Sequence, residues 1–420
     1  MTLIEKILAR ACGSAKVCPD EFVVAKIDCA MMPESFRMIP ELLTRAGIDA
    51  KTFTVWDTER FVVFIDHQVP PTSVNRAESQ KLSREFATKL HIKYFYDIFC
   101  GVGHQVMMEK GHVKPGQLIV GADSHTTTYG ALNAAATGIG ASEMAYVIKT
   151  GELWFKVPET IRFELNGRLG DFVFPKDIML YIAGKYGTEV AQYKAIEWGG
   201  PVVDDLTLDG RMTMANMSVE LGAKFGVFRA DSKTMDFLRI TTDRSFQPVD
   251  SDSDATYGDK FFIDASEIEP QIAAPHSVGN VRSVSAMKGT SIDQAVIASC
   301  CDGRMEDLRI AAKLLRAKKV HPKVRFYIAP ASWKIYKQAL NEGILRIFLD
   351  SGVLVENPSC GLCTGYQGIL AKGERCIAAI PRNFKGRLGS PDAEIFLASP
   401  ATVASSAIRG KIVDPREEGM

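Results

Sequence analysis

Repeatedly along this chain a short apolar run of strand type breaks off in a cluster of polar or thiol side chains, and a stretch of helical period follows. KTFTVWDTERFVVFIDHQVPP reads as a strand with Asp66 and His67 at its tip, ahead of the helical TSVNRAESQKLSREFATKLHI. QLIVGA runs into the polar turn Asp123-Ser124-His125 and then a long Gly/Ala-rich stretch whose small residues permit close backbone packing. Within it, Ser142 and Glu143 mark a helix start. Strand and helix in alternation specify an α/β protein, and polar groups at the carboxyl ends of strands are where such proteins place ligands.

The rest of the chain repeats the logic. PETIRFELNGRLGDFV opens a further unit with the helix IMLYIAGKYG, and NMSVELGAKFGVF sets Glu220 in an otherwise apolar and small run. PVDSDSDATYGDKFFIDASEIEPQIAAPHSVGNV reads as an extended connector, with a boundary near residue 285. Beyond it come strand AVIAS, turn CCDGR, helix MEDLRIAAKLLRAKK, strand KVRFYIA, a single helix SWKIYKQALNEGILRIFLDSG, and strand VLVEN leading into NPSCGLCTGY. At 420 residues the chain exceeds one ordinary core, so two or three domains are expected, with clefts where they meet.

Composition narrows the function. With 50 basic and 50 acidic residues, there is no cationic surplus of the kind that nucleic-acid or anionic-membrane binding uses. The N-terminal MTLIEKILARACGSAK is charged and amphipathic, and no apolar run reaches the ~18 residues that span a bilayer, so neither export nor a membrane fate is expected. The nine cysteines are an odd, irregularly spaced set, which fits a reducing, cytoplasmic compartment with some thiols as metal ligands and the rest buried.

The CxxC of Cys360 and Cys363 admits three readings. A redox pair needs a helix start to lower its thiolate pKa, and the TGYQG that follows is a poor helix former. Zinc needs four ligands, and the adjacent Cys300 and Cys301 would complete such a site only with strain. In the third reading, Cys300 and the CxxC stand at strand ends of one α/β unit, where parallel strands bring both turns to one edge. Three thiolates can hold a 4Fe-4S cluster and leave one iron without a protein ligand, a Lewis acid for hydroxyl or carboxylate.

DHQVP, GADSHTTTYGA, IASCCDGRMEDLRIAA, SCGLCTGY and RNFKGRLGSPDAEIFLASPATVASSAI, in this order over nearly the whole chain, resemble the aconitase superfamily, in particular its 3-isopropylmalate dehydratase and homoaconitase large subunits of the short, archaeal-type branch. The resemblance implies three α/β domains around a central cleft, at 1–160, 161–284 and 285–420, with the swivel domain absent. It implies one 4Fe-4S cluster per chain on Cys300, Cys360 and Cys363, and dehydration or hydration of a small hydroxy di- or tricarboxylic acid without net redox. Asp66, His67, His104 (in GVGHQV), Asp123, His125 and Glu220 match the family's catalytic positions. Ser124, Asn216, Asp302, Arg382 and Arg387 match or adjoin substrate-binding ones, the guanidinium forks being suited to carboxylates. The family's base is a serine on the swivel domain, here implied to reside on a separate small subunit.

The chain also departs from the family pattern. Cys301-Asp302 replaces Thr-Asn, Pro33-Glu34-Ser35-Phe36 replaces His-Asp-Gly-Thr, Pro381 replaces an asparagine, and Ser359 and Leu362 flank the CxxC where Gly and Pro are commoner. An aspartate beside a polycarboxylate would cost roughly 3 kcal/mol at about 5 Å and an effective dielectric of about 20. Asp302 is therefore expected to be protonated, to pair with a cation such as Arg304, or to face a part of the substrate that is not a carboxylate. Phe36 adds bulk and Pro33 removes a proton donor, which together point to an altered substrate. The rival reading is a cluster-binding paralogue without catalysis.

Overall fold

The computed structural model describes residues 1–45, 47, 49, 53–242 and 245–418. Lys51 and Thr52, at the head of the first strand-like segment, and Met420 lie outside them. The chain forms two compact units, and they interleave in sequence: unit 1 is Met1–Glu164, Ala191–Gly199 and Gly222–Phe262, and unit 2 is Leu165–Val190, Gly200–Leu221 and Ile263–Met420.

Unit 1 is built on a parallel sheet whose strands lie in the order Tyr94–Tyr96, Phe61–Phe64, Cys29–Met32, Leu118–Gly121, Ala135–Gly138. The chain lays two strands outward on one side of Cys29–Met32 and then returns to lay two on the other. The winding therefore reverses between Cys29–Met32 and Leu118–Gly121, and a crevice at the carboxyl ends follows from such a reversal. FVVF and LIVG are buried at every position, as in a sheet covered on both faces, which is why these runs are continuously apolar and do not alternate. One covering helix is Leu3–Cys12, where Leu3, Ile4, Ile7 and Leu8 recur at helical spacing and join Phe61, Val63, Leu118 and Val120 in one core. Thr2 and Glu5 cap that helix reciprocally. The helix expected at Ser142 starts one residue earlier, spanning Ala141–Thr150, with the Glu143 carboxylate accepting the Gly140 N–H at 2.8 Å.

Unit 2 repeats this winding in a seven-stranded sheet, ordered Val281–Ser283, Gln271–Ala273, Glu394–Ala398, Arg375–Ala379, Gln294–Ile297, Arg325–Ile328, Leu354–Val355. The five strands from Glu394–Ala398 to Leu354–Val355 are parallel, and the reversal falls between Gln294–Ile297 and Arg375–Ala379. Ile297, Leu308, Phe326, Phe348, Ile377 and Phe396 lie in its core.

Three expectations are corrected here. The helix read across SWKIYKQALNEGILRIFLDSG is two, Trp333–Asn341 and Ile344–Ser351, because Gly343 adopts φ +73°, a left-handed conformation that ends one helix before the next begins. CCDGR is not a bare turn, since Ser299–Asp302 forms one helical turn. The extended connector holds strands Lys260–Asp264 and Gln271–Ala273 and runs into Val281–Ser283, and its polar residues have partners: Ser251 Oγ and Tyr257 Oη donate to the Glu197 carboxylate at 2.6 and 2.8 Å. Among the described residues no helix is long and apolar enough to cross a membrane.

Candidate active site

In unit 1 the carboxyl end of the five-stranded sheet gathers three imidazoles and three carboxyl groups. Asp66 follows strand Phe61–Phe64 and commits both oxygens: Oδ1 lies 2.8 Å from His67 Nδ1, and Oδ2 accepts the Gly103 N–H at 2.7 Å. Asp123, at the head of the 3-10 segment Ser124–Leu132, is the hub. Its Oδ1 accepts the His125 N–H at 2.8 Å and lies 2.9 Å from His104 Nε2, while Oδ2 lies 3.8 Å from His67 Nε2. His125 Nδ1 stands 3.7 Å from the same Oδ1. His104 comes from the second residue of helix Gly103–Glu109, and its Nδ1 lies 3.0 Å from Tyr129 Oη. Ser124 opens the 3-10 segment and is half-buried.

These contacts set the charges. Burial works against an imidazolium at His67, but Asp66, bonded to it, with Asp123 and Glu34 beyond, outweighs burial and pushes its pKa up to about 10. Burial pushes Asp123 upward too, and the histidines His104 and His125 prevail, holding it well below the carboxylate range. Burial and the charge of Asp66 raise Glu34, against the Gln68 N–H and His67.

The departure at residues 33–36 therefore acts differently from the expectation. Phe36 is buried in the core of unit 1, its ring 5.7 Å from Phe61 and 5.1 Å from Phe86, so it adds no bulk to the crevice. Glu34 is the residue that counts: its Oε1 accepts the Gln68 N–H at 3.2 Å and a Gln80 amide N–H at 3.4 Å, beside Asp66 and His67.

In unit 2 the Cys300 turn follows Gln294–Ile297, and the CxxC follows Leu354–Val355. Because both strands run parallel to the Arg325–Ile328 strand between them, the two turns meet one edge of the sheet. Cys300, Cys360 and Cys363 are 3, 7 and 4% exposed. Two of the sulfurs take N–H donors: Asn216 Nδ2 at 3.1 Å from Cys300 Sγ, and Arg387 Nη2 at 3.5 Å from Cys363 Sγ. Arg387 Nε also donates to the Cys363 carbonyl at 2.7 Å. Such donors favour sulfur in its anionic, metal-ligating form, so this donor set fits a thiolate-held cluster. Arg382 donates to Glu220 Oε1 at 2.6 Å. Asn216 and Glu220 follow one another on helix Leu208–Met217 and the 3-10 turn Ser218–Leu221.

Asp302 does not pair with Arg304. The Arg304 guanidinium instead donates to the Cys300 and Cys301 carbonyls and to Thr213 Oγ1, and the partner of Asp302 is Lys176, with Nζ to Oδ2 at 2.6 Å. Both members of that pair are 1% exposed. Sequence reasoning passed over Lys176 because FPKDIML reads as an ordinary helix start. The signal was a lysine on a face whose neighbours Ile178, Met179 and Leu180 are all core residues.

Compared with known proteins, residues 16–290 and 282–410 match the family model described as "Aconitase family (aconitate hydratase)". The chain is 46% identical over 417 residues to 3-isopropylmalate dehydratase large subunit 1 of Methanopyrus kandleri, covering 99% of both chains. It is 44% identical over 424 residues to a probable methanogen homoaconitase large subunit of Methanothermobacter thermautotrophicus, covering 100% of this chain and 98% of that one. Among solved structures, aconitase X of Thermococcus kodakaraensis in its holo-form superimposes with a TM-score of 0.52 at 11% identity, covering 93% of this chain and 94% of that one, a likeness of fold.

Proposed function

From the chain's membership of the aconitase family, we propose that it is the large subunit of an iron–sulfur hydro-lyase acting on a small hydroxy di- or tricarboxylic acid such as 3-isopropylmalate or homocitrate, in the cytoplasm and with a small subunit that carries the serine base. The three-domain organisation, 1–160, 161–284 and 285–420, is part of the proposal. Its middle stretch is the one whose chain enters both compact units.

Cys300, Cys360 and Cys363 would hold one 4Fe-4S cluster, and the observation that carries this is the pair of N–H donors on Cys300 and Cys363 sulfur. When bound, the cluster supplies a Lewis-acid iron that polarises a substrate hydroxyl and carboxylate. This chain's residues supply the rest. Dehydration needs a proton for the departing hydroxyl, and His67 holds one on Nε2, since Nδ1 is taken by Asp66. Asp123 fixes the ring of His104 and, through its charge, favours the imidazolium of His67. Arg382 and Arg387 offer guanidinium forks to substrate carboxylates, and Glu220 orients Arg382. Ser124 of unit 1 and Asn216 of unit 2 are each assigned as polar contacts for substrate.

An altered substrate is part of the proposal, resting on Pro33, where the family pattern has a histidine able to donate a proton. Turnover of 3-isopropylmalate or homocitrate at ordinary rates, with the small subunit present, would refute that specialisation.

The deciding experiment is iron and acid-labile sulfide analysis, with a visible spectrum, on protein purified without oxygen beside a Cys360→Ala variant. About four irons and four sulfides per chain, lost in the variant, are expected. Zinc without sulfide would overturn the reading.

A further inference from the structure

We propose that Lys176 and Asp302 are a positioning pair that fixes the turn carrying Cys300 and ties it to the loop leading to Arg382; this rests on the reading of Cys300 as a cluster ligand. The Lys176 ammonium has three N–H donors, and unit 2 presents three acceptors: Asp302 Oδ2 at 2.6 Å, the Ile380 carbonyl at 2.8 Å and Cys301 Sγ at 3.6 Å. Two of these lie in the turn after Gln294–Ile297 and the third just after Arg375–Ala379. These are the two strands between which the winding of the seven-stranded sheet reverses, so one side chain locks both lips of that crevice.

The turn needs such restraint. Ser299 holds φ +81°, a left-handed conformation that is costly for a residue with a Cβ and persists only where the surroundings dictate it. The Ser299 hydroxyl accepts the Cys301 N–H at 3.2 Å, and Arg304 and Thr213 hold the Cys301 carbonyl, each at 2.8 Å. Those bonds grip the backbone of the turn. Lys176 grips two of its side chains, Asp302 and Cys301, as Asn216 grips Cys300 Sγ, and Lys176 joins them to the second strand. Burial makes the pair interdependent: a charge left alone in this setting is far costlier than the loss of both. The aspartate at 302 is thereby accounted for as the counter-charge of Lys176, turned away from substrate recognition.

The test compares wild type, Lys176→Met, Asp302→Asn and the double variant as full-length chains. In the metal-free chain, alkylation of Cys300 by iodoacetamide is measured relative to Cys376, a thiol buried in strand Arg375–Ala379 of the same unit. In anaerobically reconstituted protein, the rate of iron release to a chelator is measured. Lys176→Met should raise the Cys300/Cys376 labelling ratio and the iron-release rate about tenfold or more, with Asp302→Asn changing both less and the double variant recovering much of the loss. A merely structural role would raise the labelling of Cys300 and Cys376 together and leave their ratio unchanged, and that result would overturn the proposal. So would a double variant no better than Lys176→Met. If Lys176→Met fails to fold, a folded double variant with a wild-type labelling ratio still supports the pair, and an unfolded one overturns it. Should wild type take up no iron and sulfide, the cluster reading falls, while the labelling ratio still judges the pair.

Discussion

At His67, burial and charge pull against each other within one side chain. The result predicts both activity and pH response. In the enzyme reconstituted with its small subunit, His67→Gln should lower kcat by about 10²–10⁴, the range for loss of a general acid, with a smaller change in KM; an unchanged kcat would remove His67 from the chemistry. Its folded pKa lies above the ordinary 6.5, so its contribution to the stability of the metal-free chain is complete below pH 6.5 and is lost as pH rises toward 10. Asp123 has the opposite sign: held below 3.8, it contributes above that value and loses its contribution on acidification. Denaturant titrations of the metal-free chain between about pH 5 and 9.5 should show a decline that His67→Gln lacks. Parallel declines in the two proteins would mean that the neighbours do not hold the charge. Asp66, His67, Asp123 and His125 were legible because each sits where an apolar run ends. Lys176 and Glu34 were not, because their importance lies in partners 126 and 34 residues away in sequence.

At the scale of elements, the segment Ser124–Leu132 shows how a Gly/Ala-rich run serves a site. It packs so closely on strand Phe225–Phe228 that a Cβ on Gly130 would sit 1.8 Å from the Gly226 carbonyl oxygen. Gly130→Ala should destabilise the chain by about 3 kcal/mol or more, since neither backbone can yield without moving Asp123 and the His104 contact it makes. Thermal unfolding would measure this, and a wild-type midpoint would show that the strand moves aside freely. The sequence marked this stretch as closely packed without revealing against what. The break at Gly343 was missed because apolar spacing continues across it, and a glycine between two helices of compatible period reads as one interrupted face.

For the whole molecule, the prediction concerns completeness. Without a small subunit supplying the serine base, turnover by this chain alone should be lower by about 10²–10⁴, and titrating in that subunit should restore it to a stoichiometric end point. Full activity of the isolated chain would refute the heteromeric reading. The alternation of strand and helix, the polar strand tips and the thiol spacing were all determined by the sequence, because periodicity and the residues at strand ends are local properties. The tertiary structure alone decided which distant segments share a unit, that the chain interleaves its two units, that Asp302 answers Lys176 and not Arg304, and that Phe36 belongs to the core while Glu34 faces His67. Those outcomes depend on contacts between residues far apart along the chain, where burial makes each charge and each ring answerable to neighbours that no local pattern names.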